Sequence, residues 1–160
     1  MTGAQFKRWL YADGRPNRIA RVLNRGWAIV HSLGVAPNYL VTLEVRGCRS
    51  GRAISFPLAM IVIDQERYLV SMLGEQASWV RNIRAADGYA LLRHGRTERV
   101  RLVELPVDRR APVLKLYLKR APGARPHIPV DMHAPLEQFE AIAAQIPVFW
   151  VENVDTVAER

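Results

Sequence analysis

The sequence is poor in cysteine, in long apolar runs and in acid. Cys48 is the sole cysteine among 160 residues. No intrachain disulfide can therefore form, and a thiolate zinc cluster is excluded. A reducing cytoplasm is the simplest home for such a chain. No apolar stretch approaches the ~20 residues that a membrane-spanning helix needs. Met1 to Leu10 is mixed and polar, without the apolar centre and small-residue cleavage site of a secretory leader. Acids number 15 against 23 lysines and arginines, a formal charge of +8. That excess attracts anions of several kinds: nucleic acid, an anionic membrane surface or a phosphorylated small molecule. The arginines punctuate the whole chain instead of gathering in one tail, which argues against nucleic acid.

Internal repeats, low-complexity tracts and linkers are also missing, so one domain is expected over 1–160. A composition of 49% apolar and 24% charged residues is that of a globular protein and not of a disordered one. Segment 1–37 reads as helical and 38–152 as a barrel. From Pro16 to Leu33, Ile19, Val22, Leu23, Trp27, Val30 and Leu33 keep helical spacing, and Gly34 suits the position just past the end. Arg18, Arg21 and Arg25 occupy the opposite face. They fit a solvated helix face; with Phe6, Trp9 and Tyr11 upstream they also fit peripheral contact with anionic lipid.

The period then changes from 3.6 to 2. Tyr39–Val45 alternates as a half-buried strand, Gly47–Gly51 turns, and Ile54–Val62 alternates as a second strand. Pro57 cannot donate to a ladder, so its strand is an edge or carries a bulge. Asp64–Glu66 turns the chain into a third strand, Arg67–Met72, which completes a meander. A loop over Leu73–Ala77 leads to a short helix, Ser78–Ala85, with Ser78 as its cap. Tyr89–Arg93 and Thr97–Leu105 form a hairpin around His94-Gly95. Asp108 is expected to cap a helix through Lys119, with Pro112 in its first turn. Ala121–Pro135 is a proline-rich loop, and a helix near Pro135–Gln145 and a strand, Val148–Val151, follow. Strands outnumber helices and pair locally, so the fold class is α+β, mainly β: a small antiparallel barrel with helices packed outside.

Arg46-Gly-Cys-Arg-Ser-Gly-Arg52 is the segment richest in chemistry. Gly47 and Gly51 permit positive φ, so successive backbone N–H groups can converge on an anion. Arg46, Arg49 and Arg52 add guanidinium forks that match phosphate or carboxylate oxygens, and Ser50 adds a hydroxyl. A tight turn with solvated charges has the same composition. Cys48 lies among cations that favour its thiolate, but no oriented base accompanies it. The second segment, Ser71 to Arg84, runs from a strand end through a glycine loop to a helix N-terminus, a natural anion site. Trp79 is its large apolar body, suited to anchoring the helix. His127, Asp131 and His133 match no zinc pattern and read as loop polars. Tyr117 either faces a pocket as a proton donor or belongs to the core. No triad or carboxylate pair is found, so no catalytic residue is assigned.

The ordered set of a Gly-x-Arg-Ser-Gly turn, a strand with Pro57-Leu58, "ERYLVSMLGE", "WVRNIRAA", "RVRLVEL" and "IPVFWVE" resembles the deazaflavin (F420)-dependent nitroreductase and quinone reductase family. That family is a branch of the split β-barrel, flavin-reductase-like superfamily, and the resemblance runs from about Tyr39 to Glu152. It implies hydride transfer from reduced coenzyme F420 to a quinone, nitroaromatic or similar small acceptor, with FMN the less favoured cofactor. It further implies that Arg49, Ser50, Gly51 and Arg52 hold the coenzyme's phosphate and acidic tail, with Pro57 and Leu58 beside the ring. Ser71, Met72, Leu73 and Gly74 would touch the ring, while Trp79, Asn82 and Arg84 complete the site. Tyr117 is the candidate on the substrate side. A homodimer is compatible with such barrels. The alternative is a non-catalytic binder of a flavin-like cofactor, a tetrapyrrole or a lipid-like ligand on the same fold.

Overall fold

The computed structural model describes residues 40–154. The predicted Pro16–Leu33 helix, and with it the expected lipid contact, lies outside the described residues. Six strands run β1 (Leu40–Arg46), β2 (Ala53–Ile63), β3 (Glu66–Val70), β4 (Tyr89–His94), β5 (Arg96–Glu104) and β6 (Val148–Asn153). They close a barrel in the order β1-β2-β3-β6-β5-β4, with every neighbouring pair antiparallel. The meander and the β4–β5 hairpin are as the alternation predicted. β6, last in the chain, inserts between β3 and β5.

Period-2 alternation sorts the side chains onto two faces. Val41, Leu43 and Val45 of β1 face inward with Leu69, Leu92, Val100, Leu102, Phe149 and Val151, forming the barrel's interior cluster. The other face of β2, β3 and β6 offers Ile61, Val70 and Val148 to a second cluster. Two helices cover that face: α2 (Ala111–Arg120) through Val113, Leu114, Tyr117 and Leu118, and α3 (Leu136–Ile142) through Phe139. A core leucine removed from water contributes ~1.5–3 kcal/mol, so these two layers supply most of the stability.

Pro57 finds the environment its missing N–H demands. It lies opposite Thr42 of β1, while the pairing of β2 with β3 begins only at Met60. Over its first half β2 is thus an edge strand, where proline leaves no ladder bond unmade.

Two predicted caps are corrected. Ser78 is the first residue of helix α1 (Ser78–Ala85), and Ala77 precedes it as the cap. The reason is local: Gly74–Gln76 closes a 3-10 turn, and the Ala77 carbonyl accepts from Val80 and Arg81 N–H. Likewise Asp108 sits inside a 3-10 turn, Val107–Arg109, and Arg110 precedes α2, its carbonyl accepting from Leu114 N–H.

Candidate functional site

Helix α1 organises one end of the barrel. At 100° per residue, Trp79, Val80 and Ile83 share one side, and all three are buried in the interior cluster. Trp79 meets Phe149 at 5.3 Å between ring centroids, tilted by 57°. Asn82 and Arg84 flank that buried side in opposite senses. Each fastens a different loop.

On the first flank, the Asn82 Oδ1 accepts from the Cys48 backbone N–H at 3.1 Å. Asn82 is itself buried, so this bond anchors the Gly47–Arg52 turn to α1. Within the turn, Gly47 N–H donates to Arg52 C=O at 2.8 Å and Gly51 N–H donates to Gly47 C=O at 2.9 Å. Arg52 N–H donates to Ser50 Oγ at 3.3 Å. Gly51 has φ +69°, which the turn requires and which glycine alone supplies without strain. These bonds change the expectation of a backbone nest. The N–H groups of Gly47, Cys48, Gly51 and Arg52 are all taken, leaving only those of Arg49 and Ser50 for a ligand.

The guanidinium groups are another matter. Arg46, Arg49 and Arg52 are exposed, and among the described residues none has an ion-pair or hydrogen-bond partner for its side chain. No acid occurs between Val45 and Ile63. By contrast Arg67, Arg84, Arg93, Arg96 and Arg110 all pair with carboxylates. Three uncompensated forks around one turn concentrate positive charge of a kind that matches phosphate and carboxylate oxygens.

On the second flank, Arg84 carries two bidentate contacts. It reaches Glu75 at 2.7 and 3.3 Å and Glu104 at 2.6 and 3.1 Å. Hydrogen bonds from Arg84 hold the Glu75 carboxyl below the ordinary value of 4.5, and those to Glu104 and Glu75 push the Arg84 guanidinium up. The loop after β3 is therefore tied to α1 through Glu75. Within it, the Ser71 hydroxyl donates to Gly74 C=O at 2.8 Å, and Ser71 is fully buried.

The predicted site residues divide accordingly. Arg49, Ser50, Gly51 and Arg52 lie on the exposed turn. Leu58 and Leu73 are half-buried and pack onto the interior cluster that contains Trp79. Pro57 is half-buried on β2, and Gly74, at φ +76°, shapes the loop. Met72 packs instead on the α2–α3 cluster. Tyr117 is 3% exposed in that same cluster, where burial raises its phenol above the ordinary 10.0. Arg110 escaped the sequence reading. It is 5% exposed and donates to the carbonyls of Leu105, Ala143 and Ile146 and to Glu104. An arginine at a helix start carries no sequence signal for such burial. Among the described residues no cluster of histidine, cysteine and acid could hold a metal ion, and no helix is long and apolar enough to cross a membrane.

A closed antiparallel barrel of six described strands with helices packed outside defines a flavin-reductase-like split barrel. The chain belongs to the F420H(2)-dependent quinone reductase family, whose model matches residues 17–131. It is an F420-dependent reductase, and coenzyme F420 is its cofactor. No curated protein matches the sequence significantly. Among solved structures, an F420-H2 dependent reductase, FDR-A, is 20% identical, with a TM-score of 0.50, covering 71% of this chain and 94% of its own. A structure described as a domain-swapped dimer is also 20% identical, with a TM-score of 0.52 over 84% of this chain and 94% of the other. A putative 5-nitroimidazole antibiotic resistance protein from Bacteroides thetaiotaomicron gives 0.51 at 8% identity, over 81% and 80%. Likeness at these identities establishes the fold.

Proposed function

We propose that the chain reduces quinones, nitroaromatics or similar small acceptors with reduced F420, holding the coenzyme's anionic tail on the Gly47–Arg52 turn. The observation that carries this reading is the set of guanidiniums of Arg46, Arg49 and Arg52, without partners among the described residues, on a glycine turn anchored by buried Asn82. Their donors suit phosphate and carboxylate oxygens. Half-buried Phe56, Leu58 and Leu73 leave apolar surface for a ring. In this reading Arg49, Ser50 and Arg52 bind the tail, and Gly51 gives the turn its shape. Pro57, Leu58, Leu73 and Gly74 border the ring, with Trp79 and Asn82 supporting them from behind. Ser71 and Met72 contribute through the backbone, since one hydroxyl is spent on Gly74 and one side chain packs on the opposite cluster. Tyr117 packs in the core and is not assigned to the acceptor.

The coenzyme supplies hydride chemistry when bound; the protein's part is to bind, orient and exclude water. In that division no catalytic triad is required. One domain over 1–160 and a homodimer, the assembly named for one structural relative, belong to the same proposal. Sedimentation or light scattering of the purified chain measures the second.

The test is a titration of the purified chain with F420, followed by oxidation of the reduced coenzyme in the presence of menadione. Tight binding at low salt with acceptor-dependent oxidation is expected. Absence of binding even with coenzyme in large excess would overturn the proposal. Binding without oxidation by any quinone or nitro compound would replace it with a coenzyme-sequestering role.

A further inference from the structure

The contacts holding the loop after β3 belong to a chain of interactions that the Gly47–Arg52 turn does not share. From Glu75 the chain of charges runs to Arg84, then Glu104, then buried Arg110. Arg110 Nη1 continues it to the carbonyls of Ala143, at 3.1 Å, and Ile146, at 3.4 Å. Between those two residues lies Gln145, whose carbonyl is so near Gly74 that a Cβ there would stand 3.0 Å from it. The loop is thus tied to α1 through Glu75, and at Gly74 it lies close against the turn before β6.

Arg84 cannot also be the anion grip that its position suggests. Its Nε and both terminal nitrogens are engaged in two carboxylate forks, which spends nearly all its donors. Two acids and two arginines leave the cluster without net charge, unlike the turn at Arg46–Arg52. We infer that Glu75, Arg84, Glu104 and Arg110 are positioning residues: they fix the loop Ser71–Gln76, and Arg84 acts on the coenzyme through Glu75 and not by direct contact. This rests on the F420 reading above.

Glu75→Gln separates the two roles because they predict opposite signs. Were Arg84 a direct ligand, removing a competing carboxylate would tighten binding of the polyanionic coenzyme. As a positioning pair it weakens binding by about two- to fivefold, the scale of a partly exposed ion pair, with the slope of affinity against salt unchanged. The double variant E75Q/R84Q should be no weaker than R84Q alone, since Arg84→Gln already breaks the pair that Glu75→Gln removes. Hydrogen exchange of the free protein supplies a readout independent of coenzyme. Glu75→Gln should speed exchange at the Gly74 and Ala77 amides, which donate within this loop, and leave Leu69 and Val100 unchanged. Tighter binding, a reduced salt slope, or faster exchange with unaltered affinity would each overturn the inference. If the unaltered protein binds no F420, the functional reading fails, and the exchange result alone still judges whether the network holds the loop.

Discussion

Replacing Arg49 and Arg52 together with alanine removes two of the turn's three guanidiniums that lack partners among the described residues, while touching no described bond that shapes it. The turn's hydrogen bonds run through backbone groups, Ser50 Oγ and Asn82, and neither arginine side chain takes part. Stability should therefore stay within about 0.5 kcal/mol of the parent, as for other surface changes. Binding is a different sum. A hydrogen bond to a charged group contributes ~1.5–3 kcal/mol, and solvent exposure favours the lower end. At ~1.5 kcal/mol each, one arginine accounts for roughly tenfold in affinity and the pair for roughly 100-fold. The assay is a coenzyme titration followed by tryptophan emission, with Trp79 buried behind the site, repeated at several ionic strengths. The double variant should also show a shallower salt dependence, because fewer charges meet the anion. An unchanged dissociation constant in a double variant of unaltered melting temperature would place the tail elsewhere and refute the argument.

Further consequences can be measured separately. Asn82→Ala leaves the part-buried Cys48 N–H without its acceptor; a loss of ~1–3 kcal/mol in urea unfolding is expected, together with weaker coenzyme binding. Gly88→Ala should be a damaging glycine change, since its Cβ would lie 2.4 Å from the Leu102 carbonyl at φ +88°. A melting temperature lowered by several degrees checks this, and no loss would contradict the close approach. Glu75 has a depressed folded value, so its stabilising contribution is present above the ordinary 4.5 and lost as pH falls through the folded value. Glu75→Gln should flatten acid unfolding in that window. Burial opposes ionisation of Tyr117, whose raised folded value stabilises below the ordinary 10.0 and is lost as pH rises beyond it. Tyr117→Phe should soften alkaline unfolding with turnover unchanged; a large fall in kcat would return Tyr117 to the acceptor site.

Alternation made most of the barrel legible. Tyr39–Val45 and Ile54–Val62 were readable because inward Val41, Leu43 and Val45, and Phe56, Leu58 and Met60, recur at every second position. Pro57 called for an edge or a bulge, and the half-paired β2 supplies the edge. The turn at Gly47–Gly51 was visible from glycines that permit positive φ. What its residues do with their N–H groups was not, because Asn82 lies 34 positions away. Arg110 stayed hidden for the same reason: its acceptors at Ala143 and Ile146 lie 33 and 36 positions on. The pairing of Arg84 with Glu104 was not legible either, because Glu104 lies 20 positions away and only the fold brings it there. Met72 and Leu73, neighbours in sequence, reach opposite clusters, so a loop read as one unit serves two sides of the sheet.

The place of β6 between β3 and β5 bears on how the molecule is made. A chain leaving the ribosome can form the β1–β2–β3 meander and the β4–β5 hairpin early, from near neighbours. Until Val148–Asn153 emerges, however, β3 and β5 both present raw edges, each a template for another chain. The hydrogen bond between Trp150 and Glu66 spans 84 positions, so this closure belongs to the slow, topology-limited class of folding events. Premature termination between Glu104 and Val148 would leave five of the six described strands with two sticky margins, a species destined for aggregation or proteolysis and not for partial activity.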